Sequence, residues 1–158
     1  MTVTELIESL SAEICAATEN LKLPVEYQNQ KQRRLAETWR RVNVYEQYIP
    51  KDLFQTENYY PCAVVELLGI HDDLKLGSTA EIGLSLGVFA KESDGWKDAF
   101  HLTELIRHRL LTRRVLAKRF RLTGEIHWET AQNQPEPFFF VYATLSYENF
   151  LPQEELIL

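Results

Sequence analysis

Cysteine is nearly missing from this chain. Cys15 and Cys62 are the two thiols in 158 residues, too few for the multi-bridge framework that holds small secreted domains together. Both lie in apolar surroundings, which predicts two buried, reduced side chains, with a single disulfide as the alternative. Long apolar runs are missing too. None approaches the roughly 20 residues that a membrane-crossing helix needs, so no membrane partner is expected. The opening MTVTELIESL has Glu5 and Glu8 where an export signal wants basic residues, and its apolar side chains are spaced rather than continuous. These absences lead us to expect a protein of a reducing compartment. Glycine and proline number only six each, which excludes a low-complexity or linker-rich architecture, and no internal repeat is visible.

What is present is ordinary globular material, 45% hydrophobic and 25% charged, and the length fits one domain with a real core. The net charge is −6, yet the cations are gathered. Lys31, Arg33, Arg34, Arg40 and Arg41 form one group; Arg107, Arg109, Arg113, Arg114, Lys118, Arg119 and Arg121 form another. Such patches serve nucleic acid in many proteins. The acidic total and the lack of any nucleic-acid motif favour a solvated face or a charge-matched protein contact instead.

Apolar residues Val3, Leu6, Ile7, Leu10, Ile14, Ala17 and Leu21 recur in steps of three and four, which predicts a helix over 3–21. Thr2 or Thr4 would cap it and Pro24 would end it. The polar, basic stretch 25–43 reads either as a short helix through Leu35 and Trp39 or as an extended arm. A short strand is expected in VNVYEQYIP (42–50), then a loop to Pro61. The near-continuous apolar run CAVVELLGI (62–70) predicts a strand covered on both faces. HDDLKLGST (71–79) reads as a hairpin connection. AEIGLSLGVFA (80–90) alternates, with Ile82, Leu84, Leu86 and Val88 on one side and Gly83, Ser85 and Gly87 on the other. Glycine weakens a strand unless something approaches closely; a helix, a ligand or a neighbouring subunit are the options here.

Ser93 or Asp94 is the expected cap of a second helix, DGWKDAFHLTELIRHRLL. Its stripe comprises Ala99, Leu102, Leu105, Ile106 and Leu110, with Trp96 and Phe100 at its start. Two strands follow at 119–129 and 137–147, joined by TAQNQPEP. The last is apolar or aromatic on both sides and is expected to be covered on both. The tail LPQEELIL is either an extended segment docked on a neighbour or a frayed end. The expected fold is therefore α+β: an antiparallel sheet of four to five strands with two main helices on one face, in a single domain. We divide it into an N-terminal helix and basic segment (1–41), a sheet-helix core (42–150) and a tail (151–158).

Chemistry-bearing patterns are few. His71, Asp72 and Asp73 in a turn are the candidate metal set, against the simpler reading of a solvated acidic turn. His101, Glu104 and His108 share a helical face but lack the spacing of a zinc-protease helix. Gly83-Leu84-Ser85-Leu86-Gly87 matches G-x-S-x-G literally. That motif needs a sharp turn at the serine, and the alternation here runs straight through it. No phosphate-cradling glycine loop occurs.

The segments VNVYEQYIP, Tyr60-Pro61 leading into CAVVELLGI, LTELIRHRLL, RVLAKRFRLTGEIHWE and PEPFFFVYATLSYE together resemble the phage tail terminator, or tail completion, family. The resemblance covers about 42–150 and rests on a pattern of helix, turn and aromatic strands. It implies a structural virion protein without cofactor or active site. Such a protein assembles, commonly as a hexameric ring, on the last ring of the tail tube and offers a surface to the head connector. The location implied is the head–tail junction, after assembly in the host cytoplasm. Charge and position select Arg113, Arg114, Arg119 and Arg121 as the subunit or partner contact. Two alternatives stand beside this reading. One is a nucleic-acid-binding module that uses the basic clusters, with Trp39 and Trp128 as stacking residues. The other is a small metal-dependent enzyme built on His71, Asp72 and Asp73.

Overall fold

The computed structural model describes residues 2–24, 39–49, 60–90, 94–133 and 137–149. The basic residues of 25–38, the residues 50–59 expected to include a loop, Ser93 and the tail 151–158 lie outside them, as does the side chain of Trp39. Two helices are described, α1 (Val3–Ala17) and α2 (Trp96–Thr112). The strands are β1 (Lys22–Pro24), β2 (Trp39–Arg41), β3 (Asn43–Glu46), β4 (Cys62–Asp73), β5 (Gly77–Phe89), β6 (Val115–Leu116), β7 (Phe120–Thr130) and β8 (Phe138–Asn149).

The expected α+β fold is corrected. Half of the described structure is strand, and the main sheet has six strands, not four or five. Its order is β3-β4-β5-β8-β7-β6. It is mixed rather than antiparallel, because β3 runs parallel to β4 while every other pair is antiparallel. β1 and β2 form a separate antiparallel ladder. The helices do not form a layer on one flat face. The sheet is curled, and α1 touches both of its outermost strands, β3 and β6. A sheet whose two edges meet the same helix must bend around it. Two ladder irregularities lie along the way, at Leu67/Gly69 of β4 and Thr123/His127 of β7, and bulges increase local bend and twist.

The strand periodicity decides what fills the curl. Ala80, Ile82, Leu84, Leu86 and Val88 of β5 are buried on one side, beside Val141, Ala143, Leu145 and Tyr147 of β8. Leu6, Leu10 and Ile14 of α1 and Leu102, Ile106 and Leu110 of α2 complete this core. Thr2 caps α1 by accepting the Glu5 N–H on Oγ1 at 3.2 Å. Gly95, not Ser93 or Asp94, is the N-cap of α2, and no side chain caps it. A Cβ there would strike Ala90 at 2.3 Å, so this chain junction admits only glycine.

Cover on both faces was expected for β4 and β8 and is found only in part. On the outer face Tyr60, Cys62 and Phe89 make a small second cluster, with Tyr45, Ile49, Phe138 and Phe140 packed on it. Beyond that cluster the face opens, and Leu68 and Tyr142 are exposed; Ile70, opposite Ala80 in the ladder, is half exposed on the other side, toward the hairpin end. The small-residue side of β5 belongs to the same face. Its glycines are approached from within the chain, Gly83 by Leu68 and Glu66, Gly87 by Tyr60 and Phe140. Trp96 and Phe100 do not join the buried stripe of α2; each is 46% exposed, and their rings meet edge to face at 5.5 Å.

Candidate binding groove and hairpin tip

The four arginines singled out in the sequence are divided by the fold. Arg119 Nη1 donates to Glu5 Oε2 at 2.6 Å, and Arg113 lies 3.8 Å from Glu13. Arg109, one turn before Arg113, donates from Nε to Glu13 Oε2 at 2.6 Å. These cations fasten α1 to the end of α2 and to the turn that follows β6. Arg114 and Arg121 instead line a groove, joined there by Arg107.

The groove has a volume of about 660 Å³, within the usual range of ligand-holding clefts. Arg107 and Leu111 come from α2, Arg114 from the segment after it, and Glu148 from β8. Leu122, Ile126 and Trp128 of β7 supply apolar wall. The irregularity in β7 helps to make the space. Thr123 pairs with Ser146 and His127 with Thr144, so the three residues between them face Leu145 alone. Gly124 takes φ +69° within this bulge, a conformation that glycine adopts without steric cost. Arg114 is steadied by donating from Nε to the Leu111 carbonyl at 3.1 Å. Among the described residues Arg107 makes a loose 3.8 Å contact to the exposed Glu104. Arg121 stands opposite Glu148 in the ladder. With three guanidiniums and one carboxylate its lining is basic, beside an indole and three aliphatic side chains.

A second surface feature lies at the end of the β4–β5 hairpin. The ladder is paired up to Asp73↔Gly77. The turn beyond presents Leu74 and Leu76 at 105% and 89% exposure. This turn is built, not loose. The Asp73 carboxylate accepts the N–H groups of Lys75 and Leu76 at 2.8 and 2.9 Å, and Asp72 accepts from the Ser78 hydroxyl at 2.6 Å. The two N–H donors hold the Asp73 carboxyl below its ordinary range, first that of Lys75 and then that of Leu76. The chain thus orders a turn whose outermost side chains are apolar.

The other sequence candidates are scattered. Asp72 and Asp73 shape the hairpin turn, and consecutive side chains of a strand point to opposite faces. Among the described residues no group of three or more His, Cys, Asp or Glu side chains is placed to hold a metal ion. Ser85 sits mid-strand, paired with Val64 and Tyr142, so its G-x-S-x-G setting is a ladder and not an elbow. His127 lies 3.4 Å from Glu129 at an exposed position. Cys15 is exposed rather than buried, and both cysteines are free. No described helix is long and apolar enough to cross a membrane.

Sequence reasoning missed Arg107, which its cluster concealed, and the prominence of Leu74 and Leu76. The sign available was the pair of leucines inside a polar turn, HDDLKLGST. No family model and no curated protein matches the chain.

Proposed function

We propose that this protein is a structural assembly component, acting as an oligomeric ring that caps a phage tail tube and joins it to the head connector. The resemblance of residues 42–150 to tail terminator proteins supplies the specific identity. The observation that carries the assembly reading is the apolar surface of the β4–β5 hairpin, where Leu68, Ile70, Leu74 and Leu76 are all at least half exposed. Several large apolar side chains exposed along one hairpin mark a surface that a partner can cover. An extended hairpin also carries its side chains away from the core, within reach of a neighbouring molecule. The partners in this reading are further copies of the chain, the tail tube protein and the head completion protein. No cofactor or active site takes part.

Solution mass tests the reading. Light scattering on a sizing column, with negative-stain images of the peak, should give a closed ring of 18.5 kDa chains, six in the commonest form of the family. A monomer that also fails to bind purified tail tubes would overturn it.

One observation favours a second reading. Arg107, Arg114 and Arg121 share their groove with Trp128, and cations beside an aromatic ring suit single-stranded nucleic acid. Binding to single-stranded DNA that weakens steeply with salt would support it.

A further inference from the structure

We propose that the hairpin tip of one copy inserts into the arginine-rimmed groove of a second copy, with Leu74 and Leu76 against Ile126 and Trp128. The proposal deepens the ring reading above and rests on it for the choice of a second copy as occupant.

Three observations carry it. The first is complementarity of charge. The tip bears Asp72 and Asp73 against one cation, Lys75 between its two leucines, and the groove lining carries Arg107, Arg114 and Arg121 with Glu148. Two carboxylates at the base of a net-acidic tip match guanidiniums around an apolar cleft, and such matching sets register and partner choice. The Asp73 carboxylate is held ionised by the turn it organises, so its charge is present when the tip arrives.

The second is preorganisation. The tip is ordered by side-chain hydrogen bonds at 2.6–2.9 Å, so little conformational freedom remains to be lost on docking. The groove is likewise framed by Arg107 and Leu111, one turn apart on α2, and by a bulged strand.

The third is position. The registers place Thr79, Glu148 and Arg121 in one row across β5, β8 and β7. The tip therefore lies two strands, about 10 Å, to the side of its own groove. The hairpin ladder runs unbroken from Gly69 to Asp73 opposite Glu81 to Gly77, which prevents the tip from folding back to reach it. Plug and groove on the same copy are thus unable to satisfy each other. They are unlike surfaces, so the contact between copies is heterologous and repeats from copy to copy, into a ring where the rotation closes.

The test is a cross-link between differently marked copies. In a Cys15→Ser background, one variant carries Leu74→Cys and the other Thr123→Cys, the latter on the groove wall. Mixed and mildly oxidised, the two should yield a disulfide-linked pair containing one of each. Adding Arg114→Glu to the groove variant should abolish it. Leu74→Asp with Leu76→Asp in the unmarked protein, at fully exposed positions that do not support the fold, should shift the light-scattering peak to monomer. A multimer that gives no cross-link and survives Leu74→Asp/Leu76→Asp would overturn the contact and leave the ring reading standing. A monomer at all concentrations, without cross-link, would overturn the contact and count against the ring as well. Salt-sensitive protection of the Thr123→Cys thiol by single-stranded DNA, without cross-link, would overturn it in favour of nucleic acid as the occupant.

Discussion

Arg119 and Glu5, 114 positions apart in sequence, meet at 2.6 Å between Nη1 and Oε2. The pair joins the first helix to the turn at the far edge of the sheet, and with Arg109–Glu13 it fixes α1 inside the curl. A cluster of cations that reads as a contact surface in the sequence is therefore, in part, an internal fastening.

That fastening has a modest expected value. Arg119 and Glu5 are 34% and 46% exposed, and ion pairs at this exposure contribute about 0.2–1 kcal/mol. A double-mutant cycle with Arg119→Ala and Glu5→Ala, followed by urea unfolding, should return a coupling in that range, smaller at high salt. Coupling indistinguishable from zero at low salt would show that α1 is held by its apolar face alone.

The two glycines of β5 should differ. A Cβ at Gly87 would lie 2.7 Å from Tyr60 and 3.0 Å from Phe140, both packed in the outer cluster. At Gly83 the nearest atom is the end of the exposed Leu68 side chain, at 3.0 Å. Gly87→Ala should cost about 1–3 kcal/mol by overpacking, whereas Gly83→Ala should be tolerated because Leu68 can move aside. Equal effects in thermal melts would mean that the outer cluster does not constrain Gly87.

The thiols should separate by reactivity. Cys15 is exposed and Cys62 buried; burial above all pushes the Cys62 thiol up to about 12, only partly offset by its hydrogen bond with the Gly87 backbone and the charge of Arg40. Near pH 8 a thiol reagent should titrate one group quickly in the native protein and two in denaturant. The sign follows from linkage. The folded state holds Cys62 neutral, with an ordinary value of 9.0 when exposed. Its contribution to stability is therefore complete below about pH 9 and declines as pH rises toward 12. Rapid modification of both thiols in native protein would contradict the burial.

The turn between β6 and β7 carries removable strain. Arg119 N–H bonds back to the Leu116 carbonyl at 3.0 Å, and both central residues, Ala117 and Lys118, have positive φ, +52° and +56°. Positive φ at both central residues is the backbone geometry that Asn and Gly adopt most readily. Lys118→Gly should stabilise the protein, by up to about 1 kcal/mol, since a residue in this region costs on the order of 1–3 kcal/mol when it is not glycine. A lower melting temperature would indicate that the lysine side chain supports the fold elsewhere.

Much of the scaffold was legible. The spacing from Val3 onward marks α1, because steps of three and four leave one apolar face, although the helix ends at Ala17 and not near Leu21, and Pro24 belongs to β1. Alternation in 80–90 marks the inward side of β5 residue by residue. The hairpin at 71–79 announces itself through Gly77, though its turn is only 74–76, with the strands running to Asp73 and from Gly77. Less visible were features that depend on distant partners. β3 pairs in parallel with β4, and four residues of strand carry no mark of direction. The Ala117-Lys118 turn lacks the usual residues for its geometry. The groove joins Arg107, Arg114 and Arg121 with Trp128 and Glu148, which no local pattern connects.

Local periodicity determined by itself where apolar side chains must gather, because a helix or strand with one apolar face has to bury it. It also determined that Arg107 to Arg121 would make a basic surface, since so many cations in one helix and turn cannot all be buried. Tertiary structure alone decided how those charges are used. The curl brings the carboxylates of α1 to Arg109, Arg113 and Arg119 and so neutralises part of the cluster. It leaves Arg107, Arg114 and Arg121 around a cleft. Coulomb attraction is strongest within a few ångströms, and only the curled sheet sets which opposite charges come that near.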